Sequence, residues 1–263
     1  MPKENVYYWP LWFSQLLDPD EQRKIKKILP KLQCAQISLW RALNIYDDFF
    51  DGDGERSQLP QANTYYRRFL ETHYRLNLSS SYYQQMQQLF KNLDRANTEE
   101  ITGRNRCKNE LAILTDKSFV LALGAIALLA KLGYKRSDKK SLACFNFFKY
   151  SLALKQLADD SLDWLEDFKR GLITLANKPV INAIKKKRLV FNLEKEPEIA
   201  NLLFCQYASP LIISRMKNLC VLARSELAAF GPSEKNSLIK NLIRPHEIAC
   251  RNAEKFRALV VEN

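Results

Sequence analysis

Two short stretches hold the side chains whose types and spacing could do chemistry. One is Asp47-Asp48-Phe49-Phe50-Asp51, with Asp53 close behind, and the other is Asp159-Asp160-Ser161-Leu162-Asp163, followed by Glu166-Asp167. Both read D-D-x-x-D, in a chain with only 13 aspartates among 263 residues. On an α-helix, positions i, i+1, i+4 and i+8 share a face. Asp159, Asp160, Asp163 and Asp167 therefore form one expected carboxylate stripe, with Gln156, Glu166 and Arg170 on the same side. Asp47, Asp48 and Asp51 repeat the arrangement, and Asn44 precedes them by three residues as Gln156 precedes its own pair. Each stripe falls at the C-terminal end of an otherwise apolar helix, where the helix dipole is negative and carboxylates are disfavoured. Adjacent like charges repel as well. An isolated acidic helix end is ordinarily solvated surface. Two with matching amides at the same end of two apolar helices call for something positive, and a hard divalent cation such as Mg²⁺, held by a few carboxylates together with phosphate oxygens, is the natural partner.

The elements that must position these stripes are helices. Asp18-Pro19 supplies an N-cap and first-turn pair for a helix through Leu29. The next helix is expected from Lys31 to Phe50, with Leu32, Ala35, Leu39, Leu43 and Tyr46 recurring every three or four residues, and Gly52-Asp53-Gly54 ends it. Helices are expected near residues 61–76 and 80–93, and Ala96 to Asn109 reads as polar and irregular. Asp116 opens an apolar helix stopped by Gly133, and a long helix from Ser137 or Asp138 reaches toward Arg170, long enough to invite a break. Further helices fit residues 179–189, 197–207, 210–230 and 233–261. No strand alternation, internal repeat or linker is evident. The expected fold is all-α, a single helical domain over residues 1–263.

Composition agrees. Only 7 glycines occur, which argues against a turn-rich all-β fold, and no glycine-rich phosphate or dinucleotide loop is present. Six scattered cysteines without a C-x-x-C pair, and two histidines, argue against a zinc site or a disulfide framework. The charged start Met1-Pro2-Lys3-Glu4 is not followed by a signal-peptide pattern, and the apolar run from Phe119 to Ala130 is short of the ~20 residues that span a bilayer. A cytoplasmic protein is expected.

The motif residues resemble a known family. Asn44 to Asp51 is similar to the first aspartate-rich motif of class I isoprenoid synthases, and Lys155 to Asp163 to the second motif of the trans-prenyltransferases. Gln156, Leu157, Asp163, Glu166, Asp167, Arg170 and Gly171 also match the spacing of the second motif of squalene and phytoene synthases. Lys117-Ser118 resembles a Lys-Thr pair that contacts diphosphate. The resemblance spans about residues 31–175. It implies an all-α bundle around an apolar cavity, with Asp47, Asp48, Asp51, Asp159, Asp160, Asp163 and Asp167 holding Mg²⁺ (three ions, Mn²⁺ being the alternative). It further implies Lys117, Lys155, Gln156 and Arg170 on the diphosphate, and a substrate pocket at Leu43, Asn44, Phe50, Phe119 and Phe148. The implied reaction is ionisation of an allylic prenyl diphosphate to a carbocation, in which metals and cationic side chains stabilise the departing diphosphate.

Departures from the family divide the functional readings. The homoallylic co-substrate segment G-K-x-x-R-P has no match in Arg23 to Pro30, and Gly54-Glu55-Arg56-Ser57 stands where elongating enzymes carry Arg-Arg-Gly. A single-substrate terpene synthase is therefore the leading expectation. A prenyl transferase, head-to-tail or of the squalene/phytoene type, is the alternative. A third reading is non-catalytic: the net charge of +12, with basic runs at Lys135-Arg136, Lys139-Lys140 and Lys185 to Arg188, could draw RNA or an anionic membrane. No nucleic-acid motif accompanies those runs, so nucleic acid is not expected. Peripheral membrane contact and a homodimer are both compatible with the sequence. The aromatic run Tyr7 to Phe13 is read as a cap on the bundle core.

Overall fold

The computed structural model describes residues 5–102, 109–187, 196–231 and 236–261. All regular structure among them is helical. The chain divides into two compact units. The first comprises Met1–Arg106, Asp116–Phe148 and Glu226–Ile239, and the second Cys107–Thr115, Lys149–Ser225 and Lys240–Asn263.

The first unit contains α1 (Trp9–Ser14), α2 (Pro19–Ile25), α3 (Leu29–Phe50), α4 (Leu59–Arg75) and α5 (Ser80–Ile101). After α6 (Glu110–Thr115), which belongs to the second unit, it continues through a 3₁₀ turn at Phe119–Ala122, α7 (Leu123–Lys131) and the start of α8 (Lys139–Leu162). Proline sets two helix starts. Pro19 opens α2, where the Glu21 carboxylate accepts the Asp18 backbone N–H at 3.0 Å. Pro30 lies in the first turn of α3, because a proline costs nothing where its missing N–H has no helical acceptor. The buried face of α3 runs through Leu32, Ala35, Gln36, Leu39 and Ala42. It reaches Ala42 rather than Leu43, which is half-buried. Gly124 of α7 lets this face come close: a Cβ there would stand 2.6 Å from Gln36 Oε1 and 2.8 Å from Pro10 Cγ. Trp9, Phe13 and Phe148 form a buried aromatic cluster, with Trp9 stacked on Phe148 at 5.5 Å, so the N-terminal aromatic run does serve the core. α5 runs on to Ile101 where the sequence reads as irregular. The hydroxyls of Thr98 and Thr102 donate to carbonyls one turn back, at 2.7 Å each.

The second unit holds the rest of α8, then α9 (Trp164–Lys169), α10 (Lys178–Lys187), α11 (Pro197–Leu203), α12 (Ser209–Leu227) as far as Ser225, and α13 (Arg244–Val261). α8 is buried all round at Ser151, Leu152, Ala153 and Leu154, as befits a helix through a core. A π-helical turn, Phe204–Ala208, lies between α11 and α12 and packs against α10 and α13. α12 and α13 are joined by matched ion pairs seven residues apart on each helix. Arg224 Nε meets Glu247 Oε1 at 2.7 Å, and Lys217 Nζ meets Glu254 Oε1 at 2.6 Å. Among the described residues no helix is long and apolar enough to cross a membrane.

Candidate functional site

The first aspartate cluster closes α3. Asp47 and Asp48 lie in its last turn, both exposed, and Asp51 is the C-cap. Gly52 takes φ +85°, a left-handed conformation suited to glycine, and turns the chain back over the helix end. The backbone N–H groups of Asp53 and Gly54 then both donate to the Asp48 carbonyl, at 2.9 and 2.7 Å. The return is tight: a Cβ on Gly54 would stand 2.7 Å from the Phe49 nitrogen. The helix-end carbonyls of Asp47 and Asp48 are thus satisfied by backbone N–H donors. A cation from 70 positions along the chain meets them, with Lys117 Nζ 3.0 Å from Asp47 Oδ1. Lys117 is anchored on both sides. Asp116 pairs with Arg95 at 2.6 Å, and buried Phe119 packs edge-on against Phe145, ring centres 4.5 Å apart.

The second cluster closes α8. Asp159 and Asp160 stand in its last turn, each engaged from one turn earlier on the same helix. Lys155 Nζ donates to Asp159 Oδ2 at 2.6 Å, and Gln156 Nε2 donates to Asp160 Oδ1 at 2.7 Å. The helix then breaks at Asp163, whose φ of −97° and ψ of 7° lie off the helical well. The cause is Trp164, buried and stacked on Phe204 at 4.9 Å, which redirects the chain into α9. Two backbone bonds keep the four-residue step across the break, Asp163 N–H to the Asp159 carbonyl at 3.1 Å and Asp167 N–H to the Asp163 carbonyl at 2.9 Å. Arg170 pairs with Glu166 at 3.2 Å. Gly171, at φ +77°, starts a loop that fully buried Asn177 locks, donating its Nδ2 to the Leu172 carbonyl at 2.8 Å.

The sequence-predicted residues distribute unevenly. Lys117 meets the first motif, and Lys155 and Gln156 meet the second. Of the expected pocket residues only Asn44 lines the groove of about 280 Å³ beside α3, with Trp40, Arg41, Ile45, Gln58, Gln61 and Tyr65. Phe148 lies in the aromatic core, Phe119 is buried against Phe145, Phe50 is 45% exposed, and Leu43 is half-buried. Of the basic run at residues 185–188, Lys185, Lys186 and Lys187 end α10, exposed, while Arg188 lies outside the described residues, as does Cys107.

His246 carries no motif signal in the sequence. It sits in the first turn of α13, its Nε2 buried with no hydrogen-bond partner among the described residues. Burial pushes its pKa down, with the Asp159 charge pulling the other way and Lys155 adding to the depression. Only its place beside Pro245 at a helix start would have hinted at such a position.

As a donor set, these aspartates fit a hard divalent cation: oxygen ligands, accessible, and clustered in sequence at two helix ends. As the side chains stand, no three His, Cys, Asp or Glu groups among the described residues converge on one ion position, and Asp47 and Asp159 are each given to a lysine. No protein-family model and no curated protein sequence matches the chain.

Proposed function

We propose that this chain is a class I isoprenoid-synthase-like enzyme that ionises an allylic prenyl diphosphate, with one substrate cyclised or eliminated. The observation that carries the reading is the pair of D-D-x-x-D stripes at the C-terminal ends of α3 and α8, places where carboxylates cost stability unless a cation meets them. The Lys117–Asp47 pair supports it, because Lys117, which resembles a diphosphate-contacting lysine in sequence, lies 3.0 Å from the first motif. In this reading Mg²⁺ held by Asp47, Asp48 and Asp51, and by Asp159, Asp160, Asp163 and Asp167, neutralises the leaving diphosphate. Lys117, Lys155, Gln156 and Arg170 bind its oxygens through charge-assisted or amide hydrogen bonds. Aromatic faces, in a bundle closed on an apolar cavity, exclude water from the cation and stabilise it.

The test is incubation with allylic diphosphates of several chain lengths and Mg²⁺, with and without isopentenyl diphosphate. Diphosphate release and products are read by mass spectrometry. Release from the allylic substrate alone is expected. Product only with both substrates moves the chain to the transferase reading, and no release from any substrate defeats both.

A further inference from the structure

α13 divides its surface three ways. One edge, Glu247 and Glu254, faces α12 and is consumed by Arg224 and Lys217. A second face is turned inward: Cys250 is buried, and Arg257 reaches the Cys205 carbonyl through Nε at 3.3 Å. The third face is open to solvent, and it mixes two chemistries. Ile248, Phe256 and Leu259 are 44%, 60% and 67% exposed, large apolar side chains set on about one side of the helix. Arg244, Arg251 and Lys255 are exposed beside them. On the helical repeat these six residues share the face opposite the buried one, and no carboxylate of α13 falls among them. Glu247 and Glu254 are thus both paired with α12, while Arg244, Arg251 and Lys255 stand on the solvent face.

We infer that this face of α13 docks on an anionic lipid surface, lying in the interface with Phe256, Ile248 and Leu259 among the acyl chains and Arg244, Arg251 and Lys255 at the headgroups. The combination is what such an interface recognises. Apolar area supplies insertion, and cations beside it supply attraction to negative headgroups. A surface carrying cations alone would fit RNA equally well. Here the apolar members include Ile248 and Leu259, which offer a base no aromatic face to stack on. The inference is independent of the reaction the aspartates serve, since none of these residues belongs to either cluster.

The experiment is flotation of the full chain with phosphatidylcholine vesicles and with mixed phosphatidylcholine–phosphatidylglycerol vesicles. Binding to the mixed vesicles alone, weakened by salt, is expected. Arg244→Gln, Arg251→Gln and Lys255→Gln together should lower partitioning on the order of a hundredfold. A control with the same net charge, Lys135→Gln with Arg136→Gln and Lys139→Gln, should keep it. Ile248→Ser with Phe256→Ser should leave only binding that salt removes completely. Circular dichroism checks each fold. Phe256→Trp in the otherwise native chain gives a second readout, with quenching of the added emission by brominated lipid expected. Equal loss in the control, equal binding to neutral vesicles, or no quenching at Trp-substituted 256 would overturn the inference. So would displacement of the vesicles by a single-stranded RNA oligonucleotide with the Ile248/Phe256 variant unaffected, or self-association through α13 in place of vesicle binding.

Discussion

The two aspartate clusters share a motif and a helix end but are held by opposite means. The first is braced from outside its helix. A lysine 70 positions away reaches Asp47, and the returning loop caps Asp48 with two backbone N–H groups. The second is braced from within. Lys155 and Gln156 reach forward one turn on α8 itself, and the chain then turns on the buried Trp164 into a second short helix. Local bracing of this kind needs no tertiary structure beyond the helix. Long-range bracing exists only once the first unit has folded. Lys117 thus reaches the first cluster from a distant segment, whereas Lys155 and Gln156 reach Asp159 and Asp160 within six residues of one helix.

The largest expected effect tests whether this difference matters to chemistry at all. Asp47→Ala and Asp159→Ala should each lower diphosphate release by about 10²–10³-fold, the scale of losing one main electrostatic stabiliser of a transition state. The comparison breaks if one variant keeps its turnover, because that cluster is then a solvated helix end. Turnover is measured as diphosphate release, with added pyrophosphatase converting it to phosphate for assay, and Mg²⁺ in excess.

The next effect is on stability and belongs to the unit of the first cluster. His73 is fully buried, its Nδ1 2.5 Å from the Tyr82 hydroxyl, and burial brings its pKa down from 6.5 to about 3. The folded chain therefore binds fewer protons at this position than the unfolded chain between those values. Its contribution is fully present above about pH 6.5 and is lost as pH falls toward 3, at about 1.4 kcal/mol per pH unit. Roughly 2 kcal/mol should be gone at pH 5. Denaturant midpoints against pH should show this slope in the native chain and a flatter one in His73→Phe with Tyr82→Phe, which removes both partners. An equal slope in the double variant would assign the acid loss to other groups.

The loops behind the two clusters give a smaller contrast. Gly54→Ala forces a Cβ onto the backbone of α3 and should cost about 1–3 kcal/mol, as overpacking does. Gly171→Ala meets nothing within 4 Å and has only its left-handed φ to contend with, about 1 kcal/mol. Midpoints that fall in the reverse order would show that the close return of Gly54 relaxes.

Much of this was legible in sequence, and the reasons divide by range. Helix order follows from apolar spacing and from Pro19, Pro30, Gly52, Gly133 and Gly171, whose backbone limits act locally. The placing of both clusters at helix ends follows from the same signals. Three things needed tertiary information. Whether α3 buries Ala42 or Leu43 depends on what packs against it, since both fit a helical stripe. The break at Asp163 depends on Phe204 being there for Trp164 to stack on. The depression of the His246 pKa depends on burial that no local pattern announces. The continuation of α5 to Ile101 is hidden for another reason: its polar composition resembles that of a loop, although Thr98 and Thr102 can bond back to their own helix.

The smallest effect separates the two lysines most sharply. Lys155→Gln removes an exposed i,i+4 pair, worth about 0.3–0.5 kcal/mol. Lys117→Gln removes a partly exposed pair between distant segments, and stability should again fall by no more than about 1 kcal/mol, since solvent still reaches both partners. Thermodynamically the two variants should be hard to tell apart. If the lysines serve a diphosphate, turnover should fall in both by much more than stability does, and it should fall further in Lys117→Gln. A glutamine at 155 keeps a donor within reach of Asp159 along the same helix. A glutamine at 117 is shorter than the lysine it replaces and must span a gap that the fold has set. Equal losses of turnover would mean that the manner of bracing is immaterial and only the charge counts. Unchanged turnover in both, with stability down by tenths of a kcal/mol, would return these lysines to the role of ordinary counterions.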